Sequence, residues 1–231
     1  MNKRLFALLG TVILGVAVMA GIGTYVASAK NDSRVLDATP AGTFTTPEGQ
    51  ILNNFTLDLS AYPDSMFGGH GADGGAHPAW VSYGPGATNL RVPAHSAITV
   101  TIKNYDSGGS LRNDFFGAMR GTVGGTAILN GKVVTSIPSD KVGHTFTVHG
   151  MADANSQIFV SVPLKIAPDA EDVKEGYSKN PSVTTFTFIT GGEGDYVWNC
   201  EYPCGDGTVA RFGAPMSTMS YMSGHFQVVD K

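Results

Sequence analysis

Short runs in which apolar and polar residues alternate recur along this chain, and they constrain its fold more than any other feature. In residues 97–103 (Ala-Ile-Thr-Val-Thr-Ile-Lys), Ile98, Val100 and Ile102 fall on one face of an extended strand, and the threonines and the lysine fall on the other. A period of two is typical of a β-strand with one buried face. The pattern recurs at residues 144–148, 185–188 and 224–228, with further apolar runs at 158–162 and 196–198.

Glycine and proline separate these runs throughout the sequence. The 30 glycines and 12 prolines are spread over the whole chain, as the frequent turns of all-β proteins require. The sequence contains no convincing amphipathic helix of three turns, and residues 168–176 are compatible with a short surface helix only. We therefore predict an all-β domain built as a single antiparallel β-sandwich or barrel.

An apolar run without a charged residue, residues 5–29, precedes the predicted β-domain. It exceeds the roughly 20 residues needed to cross a bilayer, which favours an N-terminal membrane anchor. Its last residues, Ala27, Ser28 and Ala29, form a plausible cleavage site, which favours a signal peptide instead. Because Lys3 and Arg4 precede the run, the positive-inside rule predicts an extracytoplasmic location under both interpretations.

The sequence divides into three predicted segments. Residues 1–29 are the signal peptide or membrane anchor, residues 30–46 are a polar tether, and residues 47–231 are the β-domain. Without Lys3 and Arg4, 13 of the 15 basic residues remain against 19 acidic residues, and this net charge of −6 argues against nucleic-acid binding. Two cysteines are too few for a disulfide framework, so the apolar core must supply most of the stability.

Both cysteines and three methionines lie between the last two predicted strands. Cys200 and Cys204 are followed by Met216, Met219 and Met222. Thiolate and thioether sulfurs are soft ligands, which Cu(I) selects over oxygen-rich sites. Two other interpretations stay open: the cysteines close a small disulfide, and the methionines pack against neighbouring aromatic residues as adaptable side chains.

Residue parity separates the histidines of the predicted strands. His144 shares a face with Phe146 and Val148, the predicted core face, whereas His225 falls on the outward face of its strand. An imidazole that points into a core needs a partner, either a hydrogen-bond acceptor or a metal ion. Both partners remain open for His144.

Three segments of the sequence resemble the copper-site motifs of the cupredoxin family. Residues 142–148 resemble the strand that opens on the first histidine ligand. Residues 194–203 resemble the strand that leads into the cysteine ligand, and residues 222–228 resemble the axial methionine followed by the closing strand. The resemblance covers residues 89–229, with an insertion between 104 and 143. It implies a Greek-key β-sandwich that binds copper through His144, Cys200 and Met222.

The loop departs from the family pattern at one ligand. The family places a second histidine between the cysteine and the methionine, but residues 201–221 contain none. The spacing of Cys200 and Cys204 also resembles the paired-thiolate loop of the copper domain of cytochrome oxidase subunit II, whose histidine position holds Thr208 here. The remaining ligand is expected from solvent or from other histidines, namely His225 or His70 and His77 in a glycine-rich segment.

Together, these features predict an extracytoplasmic copper-binding protein that exchanges electrons with a redox partner protein and is not an enzyme. The predicted metal ligands are His144, Cys200, Cys204 and Met222. The sequence contains neither the nucleophile elbow of the α/β-hydrolases nor a phosphate-binding glycine loop. Two alternatives remain: a copper-free structural or binding module with a Cys200–Cys204 disulfide, and a Cu(I) carrier that uses the methionine-rich loop.

Overall fold

The computed structural model of this protein describes residues 3–29, 35–63, 82–83, 89–107, 113–150, 157–168, 177–202, 216 and 222–230. The chain divides into two units, with the boundary between Ser33 and Arg34. The first unit contains one helix, and the second is built from β-strands. Each unit is therefore described separately.

The N-terminal unit contains the helix α1, Lys3–Ala29. The large apolar side chains between Leu9 and Ile22, including Leu14 and Met19, are exposed. No helix in the described part of the chain combines the length and the hydropathy that crossing a bilayer needs. The signal peptide or anchor remains a prediction from the sequence.

The second unit is a β-domain, and thirteen strands lie in its described residues. Their bounds are β1 Val35–Asp37, β2 Thr39–Thr45, β3 Ile51–Tyr62, β4 Ser82–Tyr83, β5 Asn89–Pro93, β6 Ala97–Asp106, β7 Ala127–Leu129, β8 Lys132–Val134, β9 Val142–Gly150, β10 Phe159–Lys165, β11 Tyr177–Ile189, β12 Gly194–Asn199 and β13 Ser223–Val229.

These strands form two sheets. The six-stranded sheet has the order β1-β5-β13-β12-β9-β10, and the seven-stranded sheet has the order β2-β3-β6-β11-β7-β8, with β4 paired to β3. Most pairs are antiparallel, but β1 with β5, β5 with β13, and β3 with β6 are parallel. The predicted all-β fold class is confirmed, and the sheets are mixed rather than purely antiparallel.

Apolar side chains from both sheets meet in one core. Ile98, Val100 and Ile102 of β6 are fully buried, which confirms the predicted alternation in this strand. The ring of Phe146 on β9 lies 5.8 Å from the ring of Phe186 on β11, across the space between the sheets. Because burial of one large apolar side chain stabilises the fold by about 1.5–3 kcal/mol, this shared core holds the two sheets face to face as a sandwich.

The predicted tether, residues 30–46, is corrected in part by the structure. Val35–Asp37 forms strand β1 beside β5, and Thr39–Thr45 forms strand β2 beside β3. The Asp37 carboxylate accepts a hydrogen bond of 2.9 Å from Arg91 Nη2. Both strands lie at sheet edges and are largely exposed, so they need no apolar pattern, and β-branched threonine suits them. Their polar composition therefore did not distinguish them from a tether.

The insertion expected between residues 104 and 143 adds to both sheets. Its β7–β8 hairpin extends the seven-stranded sheet. Arg120 pairs with Ser161 of β10 through two backbone hydrogen bonds of 2.9 and 3.0 Å. Gly121 follows with φ of +72°, and a Cβ there would lie 1.9 Å from the Phe159 carbonyl oxygen. Glycine is thus required where this segment pairs with β10.

The sequence left a short surface helix possible at residues 168–176. Residues 169–176 of this segment lie outside the described residues.

Candidate metal centre

The ends of four strands meet at one end of the sandwich and bring three predicted site residues together. Asp106 ends β6, His144 lies near the start of β9, Cys200 follows β12, and Met222 precedes β13. His144 Nδ1 lies 4.0 Å from Cys200 Sγ, and the backbone N–H of Cys200 donates to the Met222 carbonyl at 3.0 Å. The side chains of His144 and Cys200 are therefore neighbours, Met222 lies beside Cys200 along the backbone pairing, and their role as metal ligands stays a prediction.

His144 points into the protein, as its parity predicts, and only 3% of its surface is exposed. Its Nε2 lies 2.9 Å from Oδ2 of Asp106. Because an ionised carboxylate only accepts hydrogen bonds, Nε2 carries the proton and donates to Asp106. This contact orients the ring and leaves Nδ1 facing the sulfur of Cys200.

The surroundings of His144 control its charge. Burial by itself lowers the pKa of an imidazole, but the hydrogen bond to Asp106 and the neighbouring Cys200 sulfur outweigh it and raise the pKa of His144 to about 9. In the absence of a bound metal ion, the ring is therefore an imidazolium at neutral pH. A metal ion that binds Nδ1 has to displace this proton.

Cys200 is fully buried, and backbone groups surround its sulfur. The N–H of Thr145 donates to Sγ at 3.4 Å, and the thiol faces the Tyr202 carbonyl at 3.6 Å. The Thr145 hydroxyl accepts the N–H of Glu201 at 2.8 Å, which fixes the start of the loop after β12. An amide donor aimed at the sulfur suits a deprotonated thiolate, the form of cysteine that binds metals.

Met222 is fully buried in the same core as Cys200 and Tyr202. Met216 is partly buried and packs against this core, which is the packing role left open for the methionines. The other predicted contributors, Cys204 and Met219, lie outside the described residues.

The donor set fits a soft metal ion in part. A metal bound by imidazole and thiolate has bonds of about 2.0 and 2.3 Å, so a 4.0 Å gap between Nδ1 and Sγ leaves room for one ion between them. Histidine ligands usually donate their other N–H to a carboxylate, as His144 does to Asp106. Within the described ranges, no group of three or more His, Cys, Asp or Glu side chains is placed to hold a metal.

The remaining histidines contribute little to this site within the described chain. His225 is exposed on the outward face of β13, as predicted, which excludes it as the missing nitrogen ligand. His149 is only half-buried and lies toward the opposite end of β9. His70 and His77 fall outside the described residues, so their proposed ligand role stays a prediction.

The order Asp106, His144, Cys200 also corresponds to the orienting acid, base and thiol of nucleophilic catalysis. A catalytic thiol must reach a substrate carbonyl, but the sulfur-bearing side chain of Cys200 has no exposed surface. The same burial suits a metal ligand, since it excludes water from a metal–thiolate bond.

Asp106 was not predicted as a site residue. The alternation at Ile98, Val100 and Ile102, continued along the strand, places Asn104 and Asp106 on the same inward face. Both side chains are in fact turned inward, and Asn104 donates to the Lys165 carbonyl at 2.8 Å. The inward direction of Asp106 at the end of its strand was therefore visible in the sequence and could have marked it as a site residue. Its contact with His144, 38 positions away, was not visible there.

No protein-family model matches the sequence, and no curated protein matches it. Among solved structures, the chain is similar to auracyanin B, at 10% identity and a TM-score of 0.34, covering 83% of this chain and 97% of that one. It is also similar to a multicopper oxidase from Campylobacter jejuni, at 12% identity and a TM-score of 0.35, covering 87% of this chain and 30% of that one. A laccase from Pediococcus acidilactici shows 9% identity and a TM-score of 0.32, covering 88% of this chain and 34% of that one. At TM-scores this low, the similarities carry no argument about function. Membership of the cupredoxin family is suggested and stays a prediction.

Proposed function

We propose that this protein binds one copper ion at the end of the sandwich and serves as an extracytoplasmic electron carrier for a redox partner protein. The observation that carries the proposal is the 4.0 Å separation between His144 Nδ1 and Cys200 Sγ, with Met222 bonded through its carbonyl to the Cys200 backbone. Imidazole, thiolate and thioether form the ligand combination that suits copper.

The protein supplies a rigid, dry set of ligands. Asp106 holds the His144 ring, the Thr145 amide holds the Cys200 sulfur, and the β12–β13 pairing holds Met222 next to Cys200. A bound copper ion would supply a one-electron couple. Ligands that are fixed by hydrogen bonds to neighbouring groups change position little when the oxidation state of the copper changes, which suits an electron carrier.

A carrier is favoured over an enzyme because the three proposed ligands, His144, Cys200 and Met222, are buried. Cys200 has no exposed surface, and only 3% of His144 is exposed. A buried centre gives a substrate no direct access, whereas an electron needs no such access. The extracytoplasmic location rests on the N-terminal apolar run after Lys3 and Arg4.

The proposal is tested by copper loading of the full chain. The purified protein is incubated with Cu(II) under mild reductant, freed of excess metal and reductant, oxidised in air, and analysed for copper content and visible absorption. We expect about one copper per chain in the parent, loss of copper in Cys200→Ser and His144→Gln, and unchanged copper in His225→Ala, the exposed control histidine.

The two alternatives predict different results. A Cys200–Cys204 disulfide module predicts no copper in the parent, and equal, small stability losses in Cys200→Ser and Cys204→Ser. A Cu(I) carrier based on the methionine-rich loop predicts that copper remains in His144→Gln. Either result would remove the proposed electron-transfer function.

A further inference from the structure

A groove lies on the outer face of the seven-stranded sheet, away from the candidate metal centre. Its cavity volume is about 540 Å³, within the range of small-molecule sites. Thr99 on its floor is seven residues before Asp106 on β6, which places the groove about 23 Å from the metal centre along the strand. The groove is therefore independent of the proposed copper function.

Hydroxyl groups form the floor of the groove, and apolar side chains form its walls. The floor carries Thr99 of β6 with Thr185 and Thr187 of β11. The walls are Phe44 at the end of β2 and Ile128 of β7, with Pro47 and Val123 from the adjoining turns. None of the described lining residues is charged.

The hydrogen bonds of the floor determine which groups it offers to a ligand. Thr99 donates to the Asn54 side-chain oxygen at 3.0 Å, and its oxygen lies 2.9 Å from that of Thr187. Because the single proton of Thr99 is used on Asn54, Thr187 must be the donor in the second contact. Thr126 likewise donates its proton to the Val123 carbonyl at 3.3 Å. Thr187 and Thr126 therefore present oxygen lone pairs to the groove.

We infer that this groove binds a neutral saccharide. A sugar ring has an apolar C–H face, which can lie against the Phe44 ring, and a rim of O–H donors, which match the acceptor oxygens of Thr187 and Thr126. A charged ligand would lose its hydration without an opposite charge in the lining. A purely apolar ligand would leave the threonine oxygens unpaired. An extended peptide gains most of its hydrogen bonds from the edge of a sheet, whereas the floor of this groove is the face of one.

The inference is tested on the full chain, purified in a detergent without a sugar head group. Cellobiose, maltose and N,N′-diacetylchitobiose are titrated by isothermal calorimetry and saturation-transfer NMR, with glucuronate and trialanine as comparison ligands. We expect saturable binding of at least one neutral disaccharide and none of the comparison ligands. Phe44→Leu and Thr187→Val should each weaken this binding about fivefold or more.

The matched control is Thr56→Val, the same substitution on the outer face of β3 but outside the groove lining. It should leave saccharide binding within about twofold of the parent, since it removes no lining group. Thermal unfolding of each variant verifies that it is folded. If Phe44→Leu does not fold, the saccharide affinity of Thr187→Val alone tests the inference. Absence of saturable disaccharide binding would overturn the inference. So would equal binding of glucuronate or trialanine, or binding that these lining substitutions do not weaken.

Discussion

Replacing Asp106 by asparagine should weaken the pH dependence of stability in the metal-free protein. In the parent, the pKa of His144 is raised from 6.5 to about 9 in the folded state, because the Asp106 hydrogen bond and the Cys200 sulfur outweigh the effect of burial. A raised folded-state pKa means that the protonated ring stabilises the fold. This contribution is fully present below pH 6.5 and is lost as the pH rises to about 9.

The size of the effect follows from the two pKa values. Each pH unit between 6.5 and about 9 corresponds to about 1.4 kcal/mol, so the parent should lose about 3 kcal/mol of unfolding free energy across this range. In Asp106→Asn the carboxylate is gone while the burial of His144 remains. Burial disfavours the imidazolium, and only the Cys200 sulfur still favours it, so the variant should lose much less stability than the parent between pH 6.5 and 9.

The assay is urea unfolding of the chelator-treated, reduced protein at several pH values from 5.5 to 9.5. Unfolding is followed by tryptophan fluorescence, to which Trp198, fully buried beside Phe146, contributes. Asp58→Asn is the control, because Asp58 lies exposed on β3. A parent with constant stability from pH 6.5 to 9, or an Asp106→Asn variant with the same loss as the parent, would refute the Asp106–His144 interaction as the source of the raised pKa.

Two further predictions concern the metal centre and the insertion. Copper affinity should rise about tenfold for each pH unit up to about pH 9, because the metal displaces the proton from His144 Nδ1. Chelator competition at several pH values measures this affinity. An affinity that stays constant between pH 6 and 8 would exclude Nδ1 as a ligand. Gly121→Ala should lower the unfolding free energy by about 3 kcal/mol or more, because its Cβ would meet the Phe159 carbonyl at 1.9 Å. The control is Gly131→Ala, which has a similar φ of +81° but open space around it, so it should lower the unfolding free energy by only about 1 kcal/mol in the same urea assay. Equal losses of unfolding free energy in the two variants would contradict the clash at Gly121.

Six strands of the core, β6 and β9–β13, were predicted because their cause is local. A strand with one buried face must place apolar residues two apart, and this requirement is visible at Ile98, Val100 and Ile102 without any knowledge of their partners. The same rule gave the inward direction of His144 and the outward direction of His225. The edge strands β1 and β2 were missed, since an exposed edge leaves no such pattern.

The sequence by itself therefore determined the strands β6 and β9–β13, the inward direction of His144 and the position of the candidate sulfur ligands along the chain. The tertiary structure alone decided that Asp106 holds His144, because these residues belong to different sheets and are 38 positions apart. It also decided that the Thr145 amide faces Cys200 and that Phe44 lines the same groove as Thr187. Side-chain direction follows from the local period of a strand, whereas contact between distant residues follows from how the sheets pair and pack.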